Sequence, residues 1–399
     1  MRLIVRAAEV LEADRLIPIS GAHVDSCLYH GQATLDFVDR LVDGGATVRV
    51  PTSLNVGAVD LLHPELWRGD PDLAAQGRRL MERYRVLGCR PTFTCAPYQL
   101  ADARPGLGEQ VAWGESNAIA FANSVLGART NRYGDFMDVA AAISGRVPDA
   151  GLHRTDERRA RIVLSLGDDV PPALLDEDSL YPVLGIVVGR LAGARVPAVV
   201  GLPPGVGEDR LKALGAAAAS SGSVALFHVV GSTPEAATLA DALQGTAPEE
   251  ELVVSVDDLR RARTDLGGDA GGPITAVSLG TPHASHGELS DAASLLAGRP
   301  VAEGVELVIS TARDTLAAAE ASGVAQRLRD AGAELLVDTC SYISPILRSP
   351  RGPVMTDSGK WAFYAPANIG AQVVLGSRRE CVESAVAGHV VRDASWASP

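Results

Sequence analysis

At 399 residues the chain is longer than one ordinary hydrophobic core serves, so two or three domains are expected. Its 46% hydrophobic and 21% charged residues describe a globular protein and not a disordered one, and a net charge of −13 argues against nucleic acid or an anionic membrane as the main partner. No run approaches the roughly 18 apolar residues that span a bilayer, and Arg6, Glu9, Glu12 and Asp14 break up any apolar signal core. A cytoplasmic location follows as the expectation. Five cysteines, at 27, 89, 95, 340 and 381, fit thiolate chemistry better than a disulfide framework.

In chain order, Leu16-Ile-Pro-Ile19 leads into Ser20-Gly-Ala-His-Val-Asp-Ser-Cys-Leu-Tyr-His-Gly31. A helix is expected around Leu35–Leu41 and a strand at Ala46–Val50, followed by a turn-rich loop, Pro51–Gly57. Residues 71–90 have the spacing of an amphipathic helix. Next comes Pro91-Thr-Phe-Thr-Cys-Ala-Pro-Tyr98, then a helix over Asn117–Val125 and another over Met137–Ile143 that closes at Gly145. From about 158 the chain reads as a separate α/β module without cysteine. Strands are expected at Ala160–Leu166, Ala198–Leu202 and Ser223–Val230, helices at Ser179–Leu191 and Leu211–Ser220, and an exit linker at Asp257–Gly272. Beyond it, strands at Ile274–Leu279, Val305–Ser310, Glu334–Cys340 and Gln372–Leu375 alternate with helices, one of them a long Ala-rich helix ending at Ala331. The whole is an α/β chain of three domains, 1–157, 158–270 and 271–399.

The residues able to do chemistry stand at loop positions. Cys95 sits in a proline-bounded turn, Cys340 at a strand end and Cys381 near a helix start, where a thiolate is exposed and its pKa lowered. Three such thiolates can hold an iron–sulfur cluster with one iron open to substrate; a free cysteine is otherwise a small buried hydrophobe, the reading that suits Cys89. Glu115, Ser116, Asn117 and Asn123 alternate with small apolar residues, too polar for a core and too apolar for a surface, and read as a pocket wall. His283, with Ser285 and Glu288, either holds substrate or caps a helix. His23 and Asp25 read as a structural pair, and His153 as structural. Lysine occurs only at 212 and 360, which singles out Lys360 in Asp357-Ser-Gly-Lys-Trp361 as a carboxylate-binding candidate, with Arg132 and Arg313 behind it.

Taken together, Gly21–Gly31, Val50-Pro-Thr-Ser-Leu-Asn-Val-Gly57, Thr94-Cys-Ala-Pro-Tyr98, Trp113–Ser124, Ala128-Arg-Thr-Asn131, Gly280-Thr-Pro-His-Ala-Ser285, Val337-Asp-Thr-Cys340 and Asp357–Lys360 resemble the aconitase X family in its large, catalytic subunit. The resemblance implies three aconitase-like α/β domains and an iron–sulfur-dependent hydro-lyase. It carries the ligand role onto Cys95, Cys340 and Cys381, with Cys27 as the substitute if one fails; a two-iron, a four-iron or a mononuclear site stays open. Catalytic roles fall on Glu115, Ser116, His283 and Lys360, and substrate contacts on His23, Ser53, Asn55, Asn117, Thr130 and Ser285. The superfamily's mobile swivel domain, with a serine in an Arg-Gly-Ser type loop, is not found before Pro399. A separate small subunit supplying that serine is therefore expected, with this chain inactive alone. Two small hydroxy acids fit: cis-3-hydroxy-L-proline, dehydrated to Δ1-pyrroline-2-carboxylate, and a mevalonate phosphate. The first is preferred because no Gly-rich phosphate cradle is present. A non-catalytic, cluster-bearing binding or regulatory protein is the alternative of a different class.

Overall fold

The computed structural model describes residues 1–396. Three parallel sheets organise them, flanked by helices. In the first, β2 (Gly21–Val24) lies between β3 (Thr52–Leu54) and β4 (Val111–Trp113), and a small antiparallel pair, β1 (Leu16–Pro18) with β5 (Arg146–Pro148), lies alongside in the chain. The second sheet has the order β8 (His228–Val229), β7 (Pro197–Val200), β6 (Ile162–Leu166), β9 (Glu250–Val254). The third runs β12 (Ala333–Leu336), β11 (Glu306–Thr311), β10 (Ala276–Ala284), β13 (Pro353–Thr356), β14 (Gln372–Leu375). β11, Glu-Leu-Val-Ile-Ser-Thr, is buried throughout: its apolar centre packs in the core, while the Thr311 hydroxyl donates to the Ala284 carbonyl and Glu306 accepts from the Arg348 N–H.

Several local expectations change. Residues 46–50 form no strand: Val48 and Arg49 donate instead to the carbonyls of Leu87 and Ala142 at helix ends. The strand lies in the stretch expected to be a loop, where Thr52, Ser53 and Leu54 pair with Ala22, His23 and Val24. The expected linker contains a helix, Val256–Asp265, started by a capping box in which Ser255 and Asp258 satisfy each other's backbone N–H groups. Only Leu259, Ala262 and Arg263 of it are buried, so its apolar periodicity is weak. The Ala-rich helix is two helices, Arg313–Ala321 and Val324–Asp330, separated by Gly323 at φ +75°. A helix at Arg2–Val10 was not foreseen, and β8 is only two residues long.

The helices Leu180–Ala192 and Glu208–Ser221 cross unusually closely because glycines face the contact. A Cβ on Gly185 would run into the Leu214 carbonyl and the Ala217 methyl, and one on Gly189 into Ser221 and the Ala218 carbonyl. Backbone cannot retreat as a flexible side chain can. Gly185→Val is therefore expected to destabilise the fold by about 1–3 kcal/mol or more, read as a lowered denaturant midpoint with an unchanged m-value.

Candidate metal and active site

Parallel sheets present their catalytic loops at the carboxyl ends of the strands, and here two sheets bring those ends together. The first contributes His23 on β2, Asp25 just past it, Ser53 and Asn55 from β3, and Glu115 two residues beyond β4. The third contributes His283 near the end of β10, Cys340 beyond β12, and Lys360 in the first turn of the helix Gly359–Ile369 after β13. Cys95 arrives on the loop after the helix Pro71–Val86 and packs in one apolar cluster with Cys340, Val56, Tyr342 and Trp361.

Sγ of Cys95, Sγ of Cys340 and a ring nitrogen of His283 all lie within 4.8 Å of one another, and all three residues are buried. The His283 backbone N–H donates to Cys95 Sγ at 3.2 Å. Its ring Nε2 lies 3.2 Å from the Thr339 carbonyl, which can only accept, so the proton is on Nε2. Nδ1 keeps its lone pair and accepts from the Thr94 hydroxyl at 3.0 Å. An imidazole held by a backbone carbonyl through one nitrogen presents the other as a ligand. Burial alone would push the Cys95 thiol up, but the Cys340 thiol donating to it, with His283 and Lys360 nearby, brings it down to about 6. Cys340, sharing its proton with Cys95 and buried, is pushed well up.

Beside the sulfurs is a buried ion pair. Lys360 Nζ donates to Glu115 Oε1 at 2.6 Å, and the same carboxylate accepts from the Asn117 N–H at 2.9 Å and the Ser116 hydroxyl at 3.0 Å. Burial opposes ionisation of Glu115, yet Lys360 and these donors hold it at about 2. Asp25 shows the opposite effect: burial first, then the Glu115 charge, raise its carboxyl well above the carboxylate range. It accepts from Asn55 Nδ2. His23 pairs through Nδ1 with the Ser53 hydroxyl at 2.8 Å. His23 Nε2, Asn55 Oδ1 and the Thr281 hydroxyl are buried without a partner among the described residues, as polar groups waiting for a bound molecule would be.

Other candidates are committed to the scaffold. Thr130 accepts from the Trp113 N–H and donates to the Asn131 carbonyl. Asn117 holds Tyr98 and the Cys95 carbonyl. Ser285 caps the helix His286–Leu296 and donates to Asp209 at 2.8 Å. Cys381 does not join the other cysteines. It lies on the helix Arg378–Ala387 with no exposed surface, in the apolar cluster of Met355, Val374 and Val382, and burial raises its thiol well above the usual range. Its position near a helix start suggested exposure, but the side chain turns to the core. Cys27 packs under the first sheet, donating to the Asn55 carbonyl at 3.2 Å. His23 and Asp25 do not pair with each other, while His153 is structural as expected, held by Tyr133 and Gln110. Asp25, Thr94 and Thr281 were missed by sequence reasoning. Only the unpartnered Thr281 hydroxyl, the network around Glu115 and the Thr94 bond to His283 reveal them.

Next to this wall opens a cleft of about 1120 Å³ between the first and third sheets and the middle unit, lined among others by Tyr98, Thr281, Glu288, Ser358, Lys212 and Arg378. Each arginine and lysine lining it is already ion-paired: Arg104 with Glu208, Arg210 with Asp178, Lys212 with Asp209 and Glu288, Arg378 with Glu288, Asp291 and Asp357.

Profiles for the Aconitase X first, second and third domains match residues 1–156, 160–264 and 274–387. The chain belongs to the aconitase X family. It is 43% identical to cis-3-hydroxy-L-proline dehydratase of Pseudomonas aeruginosa, over 97% of this chain and 67% of that protein. It is 35% identical to the phosphomevalonate dehydratase large subunit of Methanosarcina mazei, over 97% of this chain and 92% of that protein. The chain thus spans about two thirds of the length of the first relative and nearly all of the second. The crystal structure of Thermococcus kodakaraensis aconitase X in its holo-form superposes with a TM-score of 0.84 at 34% identity, covering 96% of this chain and 94% of that one. Two thiols and an imidazole whose unprotonated nitrogen now accepts only from the Thr94 hydroxyl make a donor set that fits the iron centre an aconitase-like family implies. Among the described residues no helix is long and apolar enough to cross a membrane.

The buried histidine makes this region acid-sensitive. Burial lowers His23 from 6.5 to about 4. As pH falls from 6.5 towards 4 the unfolded chain takes up a proton that the folded chain refuses, so stability present above 6.5 is lost across that interval. His153, also brought to about 4, acts the same way. His23→Asn is expected to lose less stability than the unaltered protein between about pH 7 and pH 5, by about 2 kcal/mol, measured by urea unfolding at each pH.

Proposed function

We propose that this chain is the metal-bearing part of a hydro-lyase that dehydrates cis-3-hydroxy-L-proline to Δ1-pyrroline-2-carboxylate. A swivel domain on a separate small subunit would complete it and supply a catalytic serine. The observation that carries the reading is the buried Lys360–Glu115 pair set directly beside Cys95 and Cys340. Lys360, 3% exposed, is held charged by Glu115, and a substrate carboxylate would be a second anion for the same ammonium.

Cys95 and Cys340, with His283, would hold an iron or iron–sulfur centre, which when bound supplies a Lewis acid for the substrate hydroxyl. Lys360 would bind the carboxylate and stabilise the negative charge that grows on it as the α-proton leaves. Glu115, ionised throughout, fixes the ammonium, with Asn117 and Ser116 fixing Glu115. The serine of the small subunit would take the α-proton; the electron pair forms the C=C bond as the C–O bond breaks, and Asp25, whose carboxyl is raised by burial and Glu115, would be the acid that protonates the departing hydroxyl. The resulting enamine tautomerises to the cyclic imine. His23 Nε2 and Asn55 Oδ1 offer the ring nitrogen and hydroxyl their remaining contacts. A cytoplasmic location belongs to the same reading, supported by five free cysteines.

A phosphomevalonate dehydratase large subunit is the second reading, favoured by the near-complete coverage of the Methanosarcina mazei protein. Against it, each arginine and lysine lining the cleft already shares its charge with a carboxylate, a weaker match for a phosphate dianion than for a single carboxylate.

The deciding assay offers both substrates to the chain co-expressed with a small swivel subunit under anaerobic conditions. Turnover of cis-3-hydroxy-L-proline is expected; turnover of the phosphate alone would sink the choice, and iron without turnover of either would favour a binding or regulatory role. Iron per chain should collapse in Cys95→Ser and Cys340→Ser and persist in Cys381→Ser. Lys360→Met should keep its iron yet lose about 100-fold or more in kcat/KM.

A further inference from the structure

Two features of the cysteine loops are strained in the same way. Phe93, two residues before Cys95, has φ +40°, and Asp338, two residues before Cys340, has φ +64°. Neither is glycine, both are fully buried, and the left-handed region costs a residue with a side chain unless its surroundings impose it. Around Asp338 the strain is explicit: the Thr339 N–H closes on the Val337 carbonyl at 2.7 Å, a turn across one residue of the disfavoured hand.

One side chain touches both. Arg313, the first residue of the helix after β11, donates through Nε and an Nη to the two oxygens of Asp338, each at 2.6 Å, while its guanidinium carbon lies 5.3 Å from the centre of the Phe93 ring. The Asp338 carboxylate also accepts from the Leu61 N–H at 3.0 Å, and its carbonyl from the Gly57 N–H at 2.7 Å, tying the turn to the first sheet's loops. Thr339, between Asp338 and Cys340, supplies the carbonyl that orients His283.

We propose that Arg313 is the positioning residue of the metal centre: its planar fork on Asp338 and its face on Phe93 hold both cysteine loops in left-handed turns, and so set the two sulfurs and the His283 ring at ligating separation. A lysine, as a point charge, cannot make both contacts. The role rests on the metal-site reading above. It differs from the bare ion-pair role in that the backbone conformation, not the charge, is what the metal senses.

The test uses the metal-free chain and cadmium ion alone, titrated anaerobically and followed by the thiolate-to-cadmium absorption that Cys95→Ser abolishes. Asp338→Ala and Asp338→Gly both delete the carboxylate, but only glycine adopts φ +64° without cost. Cadmium affinity is expected to fall about 10-fold or more in Arg313→Met and Asp338→Ala, as for other residues that orient ligands, and to stay within about threefold of the unaltered chain in Asp338→Gly. Unchanged affinity in Arg313→Met or Asp338→Ala, or an Asp338→Gly loss equal to that of alanine, would overturn the proposal. Should Arg313→Met not fold, the Asp338 pair alone decides. An unaltered chain that binds no cadmium would overturn the metal site itself, and the positioning role with it.

Discussion

Taking Lys360 and Glu115 out of water is the constraint around which the rest of the site is arranged. An ammonium and a carboxylate lose several kcal/mol of hydration each on burial, and only close pairing with further hydrogen bonds offsets the loss. Here the helix Ser116–Ser124 supplies an amide and a hydroxyl to Glu115 from its first turn, where its dipole also favours a negative charge. Lys360 enters from the opposite sheet at the first turn of its own helix. Neither sheet could bury its charge alone, so docking of the first and third units is built into the electrostatics. The same pair biases its neighbours: Glu115 pushes the Asp25 carboxyl up while Lys360 helps bring the Cys95 thiol down. One ion pair thus pushes an acid and a thiol on either side of it in opposite directions.

The middle unit braces this arrangement from outside. Its helix Glu208–Ser221 carries Lys212, buried and bonded to Glu288. Glu288 in turn accepts from the Ser285 N–H at the start of the helix that follows His283. A charge in the middle unit is therefore linked, through one carboxylate, to the loop that orients the imidazole. The glycine-faced crossing of Leu180–Ala192 with Glu208–Ser221 gives that brace a stiff base.

The sequence made the sheets legible where a strand has a short apolar centre, Ile162-Val-Leu164 in β6 and Leu307-Val-Ile309 in β11. It failed at β3, whose Thr-Ser-Leu is strand only because β2 lies beside it. For the site, chemistry-bearing residues at strand ends, Glu115, His283, Cys340 and Lys360, were readable since parallel sheets put function there. Cys381 misled because a helix N-terminus in the sequence does not say which way a side chain faces, and the apolar face of that helix claims it. Thr130 and Ser285 looked like substrate contacts, but their hydroxyls satisfy backbone and cap groups. Asp25, Thr281 and Arg313 gain their meaning from partners distant in the chain, and no local pattern encodes such a partner.

Glu115 and Lys360 are separated by 245 positions along the chain. At a synthesis rate of about 5–20 residues per second, the first sheet leaves the ribosome on the order of ten to fifty seconds before its counter-charge and second sulfur exist. During that wait the Cys95 loop has neither Lys360 nor Cys340 beside it, so the sulfur pair and its neighbouring charge come together only when the third sheet docks on the first.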